Sequence, residues 1–201
     1  MDPAGLVEVL ADRVAHRPDR LRVGIDGLAE AGAGELADRL AEVLRTRGRG
    51  VVRVDTSWWW RSAALRLEYG RQDVDMLLDG WVDAGALRRE VLDPLGPGGS
   101  GEHLTRLRDP AADRSVRESR QPSPAGTVLV LDGPFLLTGA LPLDLTVHLA
   151  VSPGRVRRIL PPDRSWWAEA AERYARTGPA DRADLVVSYD HPGAPAVAGT
   201  P

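Results

Sequence analysis

Apolar residues recur at helical and strand spacings along most of the chain. Residues 4–16 and 35–47 place apolar side chains three or four positions apart, which predicts two amphipathic helices. Short apolar runs at 21–26 and 50–55 predict strands, and the first run leads into a glycine-rich stretch. The order strand, loop, helix, strand is that of a βαβ unit, so we expect a parallel sheet.

The same alternation continues after residue 80, with one irregular stretch. That stretch is polar and contains proline, which predicts a hairpin or an irregular excursion. The predicted elements of this half are a helix at 82–95, the irregular stretch at 102–126, strands at 127–133, 143–151 and 183–189, and a helix at 164–176.

Size and composition fit one globular domain. The chain has 201 residues, of which 43% are hydrophobic and 27% charged, so it can bury a core of its own. We predict a single domain over residues 1–192 and a flexible tail, rich in Pro, Gly and Ala, over 193–201. No apolar run reaches about 18 residues, and the first residues lack the signal-peptide pattern. We therefore expect a cytoplasmic protein without membrane contact.

Charge and residue usage exclude several classes of function. The net charge is -3, and no concentrated basic face predicts a nucleic-acid partner. The chain has no cysteine, and its four histidines are scattered without metal-ligand spacing, so we expect neither a disulfide nor a metal site. Lysine is absent from the sequence, so all 26 Lys+Arg residues are arginine.

The segment GIDGLAEAGAGELADRL resembles the Walker A region of uridine kinase-like P-loop proteins. Further segments resemble that family in the same order: 86–100 its helix and loop after the acceptor segment, 127–137 its Walker B strand, and 183–192 its terminal strand. The resemblance spans roughly residues 5–192. It implies a three-layer α/β P-loop kinase fold with a central parallel sheet.

The phosphate-binding loop departs from the family's pattern. A working loop reads G-x-x-x-x-G-K-[ST], in which Lys reaches the phosphates and Ser or Thr holds Mg²⁺. Here Gly27 and Gly32 are kept, but Ala33 stands in place of Lys and Gly34 in place of Ser or Thr. Glu30 adds a negative charge inside the loop. We interpret the loop as a vestigial anion site.

The missing contacts bear directly on phosphoryl transfer. Transfer depends on positioning and charge neutralisation, and losing one such contact lowers the rate roughly 10²–10³-fold. In the segment SPGRVRR, Arg155, Arg157 and Arg158 match the family's basic lid helix. Arg155 and Arg158 are the candidates to replace part of the missing charge.

Carboxylates at the ends of three predicted strands are the candidate catalytic residues. The family carries its acceptor base after the second strand, where this chain has Ser57 and Trp58, and Asp55 is the nearest carboxylate. Asp132 ends the Walker B-like strand and Asp26 ends the first strand. Because those strands are neighbours in this fold, we expect Asp26 and Asp132 close together. Without a lysine between them, the pocket would be acidic.

Tryptophans dominate the predicted acceptor side. Trp58, Trp59 and Trp60 follow the second strand, and three consecutive rings do not all face one core. Trp81 stands where the family has an aromatic near its nucleoside, and Asp79 beside it is a candidate for holding hydroxyl groups. Indole faces attract cations and bury apolar area, which favours an apolar or cationic small-molecule ligand.

Three hypotheses for function remain open at this point. The first is a uridine kinase-like protein that binds or transforms a small molecule without ATP or another cofactor. The second is a true nucleoside or small-molecule kinase with an unconventional phosphate site. The third is a pseudokinase that binds a partner protein. The sequence also leaves a homodimer open.

Overall fold

The computed structural model describes residues 1–15, 17, 19–139 and 141–198. Strands occur at both ends of the chain and in its middle. Their bounds are Leu21–Asp26 (β1), Val51–Asp55 (β2), Arg108–Asp109 (β3), Arg114–Ser115 (β4), Val128–Gly133 (β5), Leu145–Ala150 (β6), Leu185–Ser188 (β7) and Ala196–Val197 (β8).

Six of the strands in the described residues form one sheet of order β2-β5-β1-β6-β7-β8. All neighbouring pairs run parallel except β7 and β8, which are antiparallel. β3 and β4 pair separately as a small hairpin. In chain order, β2 lies on one side of β1, β5 then lies between β2 and β1, and β6 lies on the other side of β1. The strand order therefore reverses beside β1, and α/β proteins bind ligands at such a reversal.

Helices connect the strands and cover the sheet. Short 3₁₀ turns lie at Ala29–Ala31, Thr56–Trp59 and Pro162–Arg164, and π-helical turns at Met76–Gly80 and Arg88–Leu92. The α-helices are Pro3–Ala15 (α1), Ala33–Thr46 (α2), Ala63–Arg66 (α3), Ala84–Leu87 (α4), Pro153–Ile159 (α5), Trp167–Ala175 (α6) and Pro179–Arg182 (α7).

The sheet is the middle of three layers. Every residue of β1 and β5 is buried, because helices cover both faces. On one face Val23 and Ile25 pack in a core with α1 and α2. On the other face Leu129 and Leu131 pack with residues such as Leu92. This confirms the predicted three-layer α/β fold with a central, mostly parallel sheet.

Several element boundaries differ from the prediction. The helix predicted at 82–95 is α4 followed by a π-helical turn, and the irregular stretch contains the β3–β4 hairpin. Ala196 and Val197, which we expected in a flexible tail, extend the sheet as β8. Residue 16 and residues 199–201 lie outside the described residues. Within the described part, no helix combines the length and apolarity needed to cross a membrane.

Candidate functional site

A cleft of about 900 Å³ opens at the carboxyl ends of β1, β2 and β5. Its walls come from the loop after β1, the loop after β2, the start of the loop after β5 and the turn before α6. We call it the tryptophan cleft. The residues that define it are Glu30, Asp55, Ser57, Trp60, Arg66, Arg71, Trp81, Asp132, Arg164, Trp166 and Trp167.

The loop between β1 and α2 is closed by its own hydrogen bonds. The amide of Ala31 donates to the carbonyl of Leu28 at 3.0 Å, and the amide of Gly32 donates to Ala29 at 2.9 Å. The amide of Ala33 also points to Leu28, at 3.4 Å. Gly32 has φ 96°, a conformation that favours glycine. These three amides are thus engaged within the loop, whereas a working P-loop turns its amides towards phosphate.

Glu30 ties this loop to the turn before α6. Its Oε1 lies 2.6 Å from Nη1 of Arg164, and its side chain is only 12% exposed. The second oxygen, Oε2, is buried and has no hydrogen-bond partner among the described residues. The Arg164 guanidinium also lies over the ring of Trp167, at 5.6 Å from its centroid. Glu30 and Arg164 therefore close the phosphate end of the cleft with a carboxylate.

Arg53 fills the space beside Gly34. Its Nη1 donates to Oδ1 of Asp132 at 2.6 Å and to the carbonyl of Val54 at 2.7 Å, and its Nε donates to Asp38 at 2.8 Å. A Cβ at Gly34 would lie 3.4 Å from Oδ2 of Asp132 and 3.9 Å from Nη2 of Arg53. The guanidinium of Arg53 thus lies beside both Gly34 and Asp132. The expected uncompensated acidic pocket is therefore wrong, because Arg53 neutralises Asp132.

Asp132 is nonetheless the carboxyl group most perturbed by its surroundings. Burial raises the pKa of Asp132 from 3.8 to about 6, although Arg53 acts to lower it and the nearby Asp55 and Asp38 act to raise it. Asp55 lies opposite Asp132 in the β2–β5 register, is exposed, and accepts a hydrogen bond from the amide of Ser57. A carboxyl group with this pKa in a cleft is suited to exchange protons near neutral pH.

Asp26 lies on the opposite face of the sheet. Asp132 is in register with Ile25, whereas Asp26 is in register with Gly133, and successive strand residues point to opposite faces. The predicted approach of Asp26 and Asp132 is therefore wrong, because it neglected the register. Asp26 accepts hydrogen bonds from the amide of Leu136, and its other oxygen contacts Tyr174 and His148.

Four tryptophans gather in the cleft. Trp81 is the centre of the group: its ring centroid lies 5.0 Å from that of Trp60, 5.5 Å from Trp167 and 6.0 Å from Trp166. The guanidinium of Arg66 lies over Trp60 at 5.1 Å and over Trp81 at 4.8 Å. The faces of Trp60 and Trp81, which we expected to be free for a cationic ligand, therefore already contact the guanidinium of Arg66.

The three consecutive tryptophans have three different environments. Trp59 is fully buried in the core, where its Nε1 donates to the carbonyl of Thr105 at 3.3 Å. Trp58 packs against the same core and lies under Arg106, at 5.3 Å. Trp60 alone of the three lines the tryptophan cleft. A 3₁₀ turn over Thr56–Trp59 spreads the three rings in different directions.

Other predicted residues lie away from the cleft. Arg155 and Arg158 are on α5, and neither is among the residues that line the cleft; Arg164 reaches the loop instead. Asp79 is exposed and borders a smaller apolar cavity of about 330 Å³ behind Trp81. Within the described residues, no group of three or more His, Cys, Asp or Glu side chains is arranged to hold a metal ion.

Sequence reasoning did not identify Arg53, Arg66 or Arg164. Arg53 carries a usable signal, since it is a charge inside a valine-rich strand and two positions before Asp55, on the same face. Arg66 ends the four-residue helix α3 and Arg164 ends a three-residue 3₁₀ turn. Both elements are too short for a periodicity that predicts the direction of a side chain.

Sheet order, loop and cleft together define the class: the chain has the P-loop kinase fold. No family model matches the chain, and no curated protein matches it in sequence. A candidate uridine kinase from Bacillus stearothermophilus superposes with a TM-score of 0.71 at 21% identity, over 90% of this chain and 96% of that one. A candidate fructose transport system kinase from Silicibacter sp. TM1040 gives 0.62 at 19% identity, over 91% and 95%. The YGR205w protein gives 0.52 at 10% identity, over 88% and 86%.

Proposed function

We propose that this protein binds a small organic molecule in the tryptophan cleft, and that it does so without ATP. The molecule has an apolar body and a cationic, hydrogen-donating group, as in a protonated arylalkylamine. The observation that carries the proposal is the ion pair in the loop between β1 and α2. There Oε1 of Glu30 lies 2.6 Å from Nη1 of Arg164.

The charges of the loop argue against a triphosphate. A nucleotide would bring negative charge against Glu30 and Asp132, and no lysine is present to offset it. Arg164 and Arg53 are the cations beside these two carboxylates, but Arg164 pairs with Glu30, and Arg53 donates to Asp132, Asp38 and Val54. Releasing Arg53 for a phosphate would leave Asp132 buried without its partner, which costs about 3–5 kcal/mol for a buried pair.

Two unpaired polar atoms support a ligand with this chemistry. Oε2 of Glu30 and Nε1 of Trp167 are both buried without a hydrogen-bond partner among the described residues, and both side chains line the cleft. Leaving such groups unpaired costs about 1–3 kcal/mol each. A ligand amine beside Glu30 satisfies the carboxylate, while Trp166 and Trp167 offer apolar area to the ligand body.

Asp132 is the group that we propose to exchange a proton with the bound molecule. It lines the cleft, its pKa lies at about 6, and Asp55 faces it across the β2–β5 pair. Asp26 is not part of this proposal, since it points to the other face of the sheet.

Calorimetry with matched probes tests the proposal. We expect 2-phenylethylamine to bind saturably, and the neutral 2-phenylethanol to bind at least about tenfold more weakly, since a hydrogen bond to a charged group contributes about 1.5–3 kcal/mol. Glu30→Gln should remove the difference between the two probes. Glu35→Gln is the control, because Glu35 is exposed at the start of α2. Micromolar binding of Mg²⁺–ATP, or equal binding of both probes, would contradict the proposal.

The exposed side of the same cleft supports a second candidate function, that of a partner-binding pseudokinase. Leu65 and Tyr69 are 51% and 70% exposed, and they belong to the segment that also supplies Arg66 and Arg71 to the cleft. Sedimentation of the wild type and of Leu65→Asp tests the simplest partner, a second copy. Concentration-dependent association that Leu65→Asp abolishes, together with no binding of either probe, would favour this candidate.

A further inference from the structure

A second cavity, of about 520 Å³, lies on the other side of the loop after β5. We call it the histidine cavity, and Leu28, Phe135, His148, Val156, Tyr174 and Asp190 are among its walls. It shares only Pro134 with the residues that line the tryptophan cleft. Its volume lies within the range of small-molecule sites, about 300–1,000 Å³.

Asp26 holds His148 in a fixed orientation at the wall of this cavity. Nδ1 of His148 lies 2.7 Å from Oδ2 of Asp26, and the hydroxyl of Tyr174 donates to the same oxygen at 2.6 Å. The amide of Leu136 donates to Oδ1 at 2.9 Å. Burial raises the pKa of Tyr174, so the phenol stays protonated and acts as the donor. Asp26 is 1% exposed and accepts all three bonds.

This network leaves one polar atom of His148 available. A carboxylate at Nδ1 fixes which ring nitrogen carries the proton and turns the opposite nitrogen, Nε2, away from Asp26. Nε2 makes no hydrogen bond to any described residue, while the His148 side chain is 13% exposed. Because Nδ1 faces the buried Asp26, the exposed part of the ring is the edge that carries Nε2. The wall of the cavity thus presents the lone pair of Nε2, which accepts no hydrogen bond from the described residues.

We infer that the histidine cavity is a second binding site, which takes a neutral aromatic molecule with a hydroxyl group, a phenol. The phenol O–H donates to Nε2 of His148, and its ring packs between Leu28, Phe135 and Val156.

The charges around the cavity favour a neutral ligand over an anion. Asp181 and Asp190 also line it, and Asp26 closes its floor, so a carboxylate or phosphate would meet three acidic groups. Asp190 is itself engaged with the amide of Ser152 at 2.7 Å. The apolar walls disfavour a strongly hydrated ligand, and Nε2 of His148 offers an acceptor for one donor beside them.

Binding of phenol tests the inference, at a pH above the ordinary pKa of histidine, about 6.5, and below that of a phenol, about 10. In this range the probe and the imidazole are both neutral, and we expect saturable binding by the wild type, followed by calorimetry. His148→Asn should weaken binding about tenfold or more, since an asparagine amide still donates to Asp26 but lacks the Nε2 atom. Trp58→Phe is the matched control, because Trp58 lines neither cavity, and it should bind the probe as the wild type does.

A second measurement keeps the test decisive if His148→Asn fails to fold. The ring-nitrogen resonances of His148 in the wild type should shift on addition of phenol, while the indole resonance of Trp58 stays unchanged. No saturable binding, equal binding by His148→Asn, or shifts without His148 among them would overturn the inference. The amine probes report on the other cleft, so either proposal can fail without the other.

Discussion

Two aspartates that end neighbouring strands, Asp26 and Asp132, have opposite surroundings. Asp26 is enclosed by three donors, the phenol of Tyr174, the imidazole of His148 and a backbone amide. Asp132 has a cation, Arg53, on one side and the tryptophan cleft on the other. The same residue type at the same edge of one sheet thus serves two different purposes.

The cause of the difference is a shift of one residue in register. Asp132 pairs with Ile25 and therefore points towards α2, whereas Asp26 points to the face that carries α6. Asp26 also holds a strained loop. It accepts from the amide of Leu136, the residue after Phe135, and the φ of 60° at Phe135 costs about 1–3 kcal/mol. The comparison assigns Asp26 to the support of the fold, and the surroundings of Asp132 agree with our proposal that it exchanges a proton in the cleft.

The largest effect should come from Asp26→Asn. The new amide would face donors that need an acceptor, so we expect the free energy of unfolding to fall by about 3–5 kcal/mol. Urea unfolding at neutral pH measures it, with Asp132→Asn as the matched variant. If both variants lose the same stability, the distinction between the two aspartates fails.

Arg53→Leu should have the next largest effect. It leaves the buried Asp132 without its cation, and we expect a loss of about 2–4 kcal/mol at neutral pH, somewhat below the value for a fully buried pair because Arg53 is 19% exposed. The double variant Arg53→Leu, Asp132→Leu should recover part of this loss. A double variant as unstable as the single one would show that Arg53 acts through Asp38 or its packing instead.

The pH dependence of stability should differ between the wild type and Asp132→Asn. The pKa of Asp132 is raised from 3.8 to about 6 on folding, so the folded state binds more protons between those values. The stability due to this group is therefore fully present below pH 3.8 and is lost as pH rises through 6. Relative to Asp132→Asn, the wild type should lose about 2–3 kcal/mol over that range. Parallel stability curves would contradict the raised pKa.

The smallest effect on stability should come from Glu30→Gln. The pair with Arg164 is partly exposed on the arginine side, 39%, so its removal should change the free energy of unfolding by less than about 1 kcal/mol. Thermal unfolding at two salt concentrations measures it. A loss as large as that of Asp26→Asn would assign Glu30 to the support of the fold, and the amine proposal would lose its anchor.

Local patterns accounted for much of the architecture. The spacing of apolar residues predicted α1, α2 and the main parallel strands, because helix and strand periods are local properties of the chain. The segment GIDGLAEAGAGELADRL predicted the P-loop kinase fold, and it carries Ala33 and Gly34 directly after Gly32. Tertiary structure was needed for the direction of each of the three consecutive tryptophans, of which only Trp60 lines the tryptophan cleft.

By itself, the sequence determined that the phosphate loop has no lysine and that tryptophans follow β2, since both facts are matters of residue type. Only the tertiary structure decided which distant side chains meet at the ends of the strands. Arg53 meets Asp132 across 79 positions of sequence, and His148 meets Asp26 across 122. Such contacts depend on strand order and register, which no local pattern encodes, and a shift of one residue moves a side chain to the other face.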